Sequence, residues 1–134
     1  MRDLHTRIDA LVRRRRLPWT RNGNRIAVRL GESGRSQVVR FGRIDSVVWF
    51  ESTVVDASLV TAEVDSWRML AVAAWARNAV PGLVGFAFDD DDRLVGRVEY
   101  PWATLDDEEI SVCVAEVAAE CDRFEAGWRG EDEE

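Results

Sequence analysis

Lysine is missing from this chain: all 18 basic residues are arginine. A GC-rich genome or a salt-adapted, acid-rich proteome would give that bias; either way Gly82-x-x-Gly85 lacks the lysine and the strand–helix setting that a phosphate-binding loop requires. Histidine occurs once, as His5, and cysteine twice, as Cys113 and Cys121. One histidine and two cysteines on an apolar stripe assemble no structural zinc set. A Ser-His-Asp triad would have to use His5, near the start of a helix that should fray. The two cysteines fall eight residues apart on one expected helix, about 12 Å along its axis. A disulfide needs Cα atoms within about 7 Å, so they are expected as reduced core residues. No apolar run approaches the roughly 20 residues that cross a bilayer. Met1-Arg2-Asp3-Leu4-His5 lacks the layout of a signal peptide, so the expected location is cytoplasmic, with no membrane partner.

What is present describes a folded domain. The 134 residues suit one core; 46% are apolar and 32% charged. The expected division is one domain over residues 1–129 and an acidic disordered tail over 130–134. The net charge of −7 argues against a general nucleic-acid binder. That average hides an asymmetry. Residues 1–44 carry 12 arginines against Asp3, Asp9 and Glu32, a balance of +9; residues 45–134 carry 6 against 22 acids, a balance of −16.

Along the chain, Leu4, Ile8, Leu11 and Val12 recur at helical spacing and predict a helix over 3–16, ended by Leu17-Pro18. Strands are expected over 25–30, 36–41 and 46–55. Asp65 or Ser66 can cap a helix running to 78 that is apolar nearly all round, which predicts burial on both sides. Strands over 83–88 and 93–100 flank Asp89-Asp90-Asp91-Asp92 as a hairpin. A last helix over 106–128, capped by Thr104 or Asp106, carries Ile110, Val114, Val117, Cys121, Phe124 and Trp128 as one stripe. The expected fold is α+β, an antiparallel sheet with helices in the order α-β-β-β-α-β-β-α.

Catalytic constellations are not evident. A calcium loop beginning at Asp89 would put Arg93 and Leu94 where a ligand and a glycine belong. Glu51, Glu63, Asp65 and Glu99 show no spacing that singles out a catalytic pair. No enzyme activity and no cofactor are expected. The run Arg13-Arg14-Arg15-Arg16 is the sharp basic feature. It is either a helix end whose cations offset the helix dipole or a contact for phosphate or an acidic segment. An alternative function follows from it: a regulator binding nucleic acid through Arg13–Arg16 with Arg21, Arg25 and Arg29.

Six tryptophans (Trp19, Trp49, Trp67, Trp75, Trp102 and Trp128) exceed what one small core readily hides and point to an interface. The stretch from Pro81 to Phe88, the acidic turn, Arg93 to Pro101 and then Leu105-Asp106-Asp107-Glu108-Glu109-Ile110 resembles the C-terminal half of YbjN-type proteins. These are similar in turn to the type III secretion chaperones, whose element order matches nearly the whole chain. The resemblance implies a non-enzymatic, peptide-binding, often homodimeric fold with the middle helix at the dimer interface. Carried onto this chain, the interface candidates are Trp67, Leu70, Ala71, Ala74 and Trp75. Val47, Trp49 and Phe50, from their place on the long apolar strand, are the candidates for holding an extended client segment. The expected partners are thus a second copy and an extended polypeptide, with nucleic acid disfavoured.

Overall fold

A computed structural model of the chain describes residues 2–31 and 34–129; the expected tail over 130–134 lies outside the described residues. Helix α1 (Arg2–Arg15) buries Leu4, Ile8 and Leu11, one per turn, and leaves Arg13, Arg14 and Arg15 exposed. It stops in a Schellman turn: the Leu17 N–H donates to the Val12 carbonyl at 3.2 Å, and Arg16 takes a left-handed φ of 52°.

Four antiparallel strands follow: β1 (Trp19–Asn22), β2 (Arg25–Arg29), β3 (Ser36–Ile44) and β4 (Val47–Val55). A short helix α2 (Ala57–Val60), capped by the Asp56 carboxylate, leads into α3 (Val64–Asn78). Strands β5 (Gly85–Phe88) and β6 (Leu94–Pro101) form the second hairpin, and α4 (Asp107–Arg129) closes the chain. The six strands make one sheet in the order β1-β2-β3-β4-β6-β5, every neighbour antiparallel.

The architecture is the expected antiparallel α+β fold, with strand β1 and the short helix α2 added to the expected elements. Strand β1 was expected as a connection, because Trp-Thr-Arg-Asn shows too short an alternation to stand out. Its signal was the dipeptide that follows: Gly23-Asn24 makes the two-residue turn to β2, and Gly23 sits there at a φ of +61°.

Alternation along the strands sorts the side chains. Ile26, Val28, Val39, Phe41, Val48, Phe50 and Val98 face the helices and form one core with α1 and α4. Helix α4 contributes Ile110, Val114, Val117, Cys121 and Phe124 to it, as the stripe predicts, and Cys113 and Ala118 widen the face; Trp128 is 38% exposed and falls off its end. The start of α4 is a reciprocal capping box. Asp106 accepts from the Glu109 N–H at 2.8 Å, and Glu109 accepts from the Asp106 N–H at 2.9 Å. The opposite face of the sheet carries Ala27, Val38, Arg40, Trp49, Thr53, Arg97 and Glu99, and none of these is buried.

Candidate interaction surfaces

Helix α3 presents the largest apolar exposure. Leu70 and Ala74 point inward at 0% and 5% exposure and belong to the core of the single chain. That corrects the expectation that all five candidates share one outer face, since residues four apart on a helix lie above one another. Trp67 and Trp75 do lie outside, at 53% and 72%, with Ala71 half-buried. Trp67 stacks on Phe88 of β5 at 5.8 Å between ring centroids. Met69 and Val72, missed in the sequence, complete the outer row at 58% and 62%, and Val80 and Leu83 extend it past the helix end. Their signal was spacing: 69, 72 and 75 follow one another at three-residue steps on the side away from Leu70. Beside this row, a cleft of about 480 Å³ is lined by Val80, Leu83, Val84, Phe86, Val112 and Arg77. The Arg77 guanidinium lies 4.4 Å from the Phe124 ring. Burial, with Arg123 nearby, lowers its pKa.

On β4 the three client candidates part company. Phe50 is fully buried against the helices, which removes it from any surface; consecutive strand residues point to opposite sides. Val47 and Trp49 lie on the open face and are half-buried. Trp49 lies across its neighbour Gly42, where a Cβ would meet the ring at 2.4 Å, and Arg97 stacks on it at 5.0 Å. Next to it Glu51 holds Arg40 at 3.0 Å and Arg97 at 3.1 Å. The indole is thus a fixture of the sheet, packed between glycine and arginine.

The four-arginine run is divided. Arg14 pairs with Asp107 at 3.0 Å and Arg15 with Glu108 at 2.8 Å, so the basic end of α1 meets the acidic start of α4. Arg13 and Arg16 make no ion pair with any described residue. Arg21 forms a two-pronged pair with Asp9 at 2.6 and 2.7 Å, and Arg35 does the same with Asp122 at 2.9 and 2.8 Å. Part of the sequence's charge asymmetry is therefore resolved inside the fold.

The two edges of the sheet differ. At β5, the Asn78 side chain accepts from the Phe86 N–H at 2.9 Å and donates to the Phe86 carbonyl at 2.8 Å, standing where another strand would. At β1 no backbone group among the described residues pairs with the outer side. The Arg29 N–H donates inward to the Pro18 carbonyl at 2.9 Å. Strand alternation then points Thr20 and Asn22 backbone groups toward β2, and those of Trp19 and Arg21 outward.

The single histidine and the first acid of the four-aspartate turn are engaged structurally. His5 shares a hydrogen bond of 2.8 Å with Asn24 and meets Phe41 edge-on. Asp89 accepts from the Asp91 and Arg93 N–H groups and pairs with the Arg93 guanidinium, tying the acidic turn to itself. Among the described residues no cluster of His, Cys, Asp and Glu could hold a metal, and no helix is long and apolar enough to cross a membrane.

No family model matches the chain, and no curated protein matches it. Solved structures do. The YbjN protein of E. coli superposes with a TM-score of 0.60 at 15% identity, covering 95% of this chain and 93% of that one. A chain of the HopA1–SchA chaperone–effector complex gives 0.58 at 9% identity, covering 91% and 92%. A chain of the heterodimeric ExoU–SpcU complex from the type III secretion system of Pseudomonas aeruginosa gives 0.52 at 18% identity, covering 88% and 94%. At such identities the likeness is one of fold, and over nearly its whole length this chain has the fold of YbjN and of chains in the HopA1–SchA and ExoU–SpcU complexes.

Proposed function

We propose that this is a non-catalytic polypeptide-binding protein that pairs with a second copy through the outer face of α3 and takes an extended client segment at the β1 edge. The observation that carries the reading is the row Met69, Val72 and Trp75, each more than half exposed, beside Trp67. A contiguous apolar patch on a small protein marks a contact surface, and large aromatics near its centre supply most of the binding energy. The row sits on one helix, with Arg68 on the same side as Val72, and its apolar side chains suit a two-fold pairing of the helix with its own copy. Chains of this fold occur in complexes named for a chaperone and its effector, and that supports a polypeptide as the second partner.

The free edge favours strand addition at β1 over β5, because Asn78 already occupies the Phe86 backbone groups. The experiment is sedimentation of Trp75→Asp, with circular dichroism to confirm folding. Trp75 is 72% exposed, so the substitution leaves the core intact. It is expected to convert a dimer into a monomer; a variant that still sediments as an unchanged dimer refutes the α3 assignment.

A further inference from the structure

Counting the arginines around β1 extends this reading to the chemistry of the client. Arg14, Arg15, Arg21, Arg35 and Arg40 are each held by a carboxylate of the same chain. Arg13, Arg16, Arg25 and Arg29 are exposed, and none is ion-paired with a described residue. These four are not scattered. Arg13 and Arg16 stand at the end of α1, on the helix side of the sheet. Arg13 lies close enough to Asp9 to help hold its carboxyl below the usual range, after the larger effect of Arg21's hydrogen bond. Arg16 stands two residues before Pro18, which is bonded to Arg29. Arg25 and Arg29 project from the open face of β2, directly behind β1.

A strand added outside β1 would lie about two strand spacings, roughly 10 Å, from β2. The β1 side chains between them on that face are Thr20 and Asn22, both small and exposed, which leaves room for Arg25 and Arg29 to reach across. The edge is therefore flanked on both faces by cations that make no ion pair with a described residue. Its one nearby acid with a described contact, Asp9, is neutralised by Arg21. Arg16 holds its place in a left-handed conformation, φ 52°, which glycine would adopt more readily.

We propose that the β1 edge selects an acidic extended segment, whose carboxylates on alternate residues meet Arg25 and Arg29 on the open face, while carboxylates on the intervening residues meet Arg13 and Arg16 on the helix side. This rests on the polypeptide-binding reading above and adds the partner's charge to it. Such selection fits a protein of net charge −7, which would otherwise repel an acidic client. The local cations decide the contact because charges beyond about 8–10 Å are screened at physiological salt.

The test is fluorescence anisotropy of the full chain with three labelled peptides: threonine alternating with glutamate, with serine, or with lysine. A single-stranded oligonucleotide is run alongside. The glutamate peptide is expected to bind tightest, about tenfold over the serine peptide at low salt, with the lysine peptide weakest. In Arg25→Glu/Arg29→Glu the order of glutamate and lysine peptides should reverse, with unchanged circular dichroism. Equal affinity for all three peptides overturns the charge selection and leaves strand addition standing. Failure of every peptide to bind overturns both, and an oligonucleotide that outcompetes the glutamate peptide overturns the choice of polypeptide in favour of nucleic acid.

Discussion

The Cys121 thiol rests directly on Gly96: a Cβ on that glycine would lie 2.4 Å from the sulfur. Helix α4 and strand β6 can approach so closely only because the strand has no side chain there. The sulfur also lies 3.7 Å from the Ser52 carbonyl, to which it donates. Burial pushes the Cys121 thiol up to about 12 and the Cys113 thiol, beside Glu109, up to about 11. Only the thiolate is a good nucleophile. Iodoacetamide at mildly alkaline pH should therefore leave both cysteines unmodified in the native protein and alkylate both in denaturant, read by intact mass. Rapid native labelling would contradict the packing.

The same contact predicts a coupling. Gly96→Ala forces the sulfur, Phe86 and Val84 to shift, the last two being 3.0 Å from the new carbon. Overpacking of this kind costs about 1–3 kcal/mol. Adding Cys121→Ala makes room, so the double variant should be more stable than the two single losses sum to, by more than about 0.5 kcal/mol in urea denaturation. Additive losses would mean that the two residues do not constrain each other.

At the end of α1, Arg16 occupies the position that glycine favours in a Schellman turn. Arg16→Gly should raise stability by about 0.5–1 kcal/mol, since the relief of the left-handed backbone exceeds the entropy glycine adds to the unfolded chain. Chemical denaturation measures it. A loss of stability would show that the Arg16 side chain makes a contact that holds the fold.

Two carboxylates set an acid limit. Asp107 is held below the usual range first by the hydrogen bond from Arg14, with Arg7 adding to it, and Asp9 first by the hydrogen bond from Arg21. Their folded pKa values lie below the unfolded value of about 3.9. The stability they contribute is complete above that value and is lost as pH falls through the folded one. Both side chains are more than a third exposed, 37% and 38%, so solvent screening keeps the effect small and salt-dependent. Thermal unfolding of the native chain and of Asp107→Asn should differ at pH 6 and converge toward pH 2. A gap that persists at pH 2 would contradict the ion-pair account.

The fold was legible where periodicity is long. Strands β2, β3, β4 and β6, the stripe of α4 and its acidic cap all declare themselves through spacing. Strand β1 is four residues long and is betrayed only by the turn dipeptide Gly23-Asn24 beside it. Helix α3 misled in one respect, because a helix apolar all round does not say which side its own core takes. Leu70 and Ala74 went inward, leaving Met69 and Val72 outside with Trp75. Phe50 and Trp49 are adjacent on a strand that is apolar on both faces, so alternation separates them while composition cannot say which one meets water. The pairing of Arg14 and Arg15 with Asp107 and Glu108 joins residues more than 90 positions apart, a relation that no local pattern carries.

The account depends on α3 being covered by a second copy, and the molar mass of the unmodified chain in solution tests that most directly. Sedimentation equilibrium over a range of concentrations should give twice the chain mass of 15.2 kDa at high concentration, falling toward a single chain only on dilution. A mass of one chain throughout that range, with Trp75 still open to a collisional quencher, would contradict it.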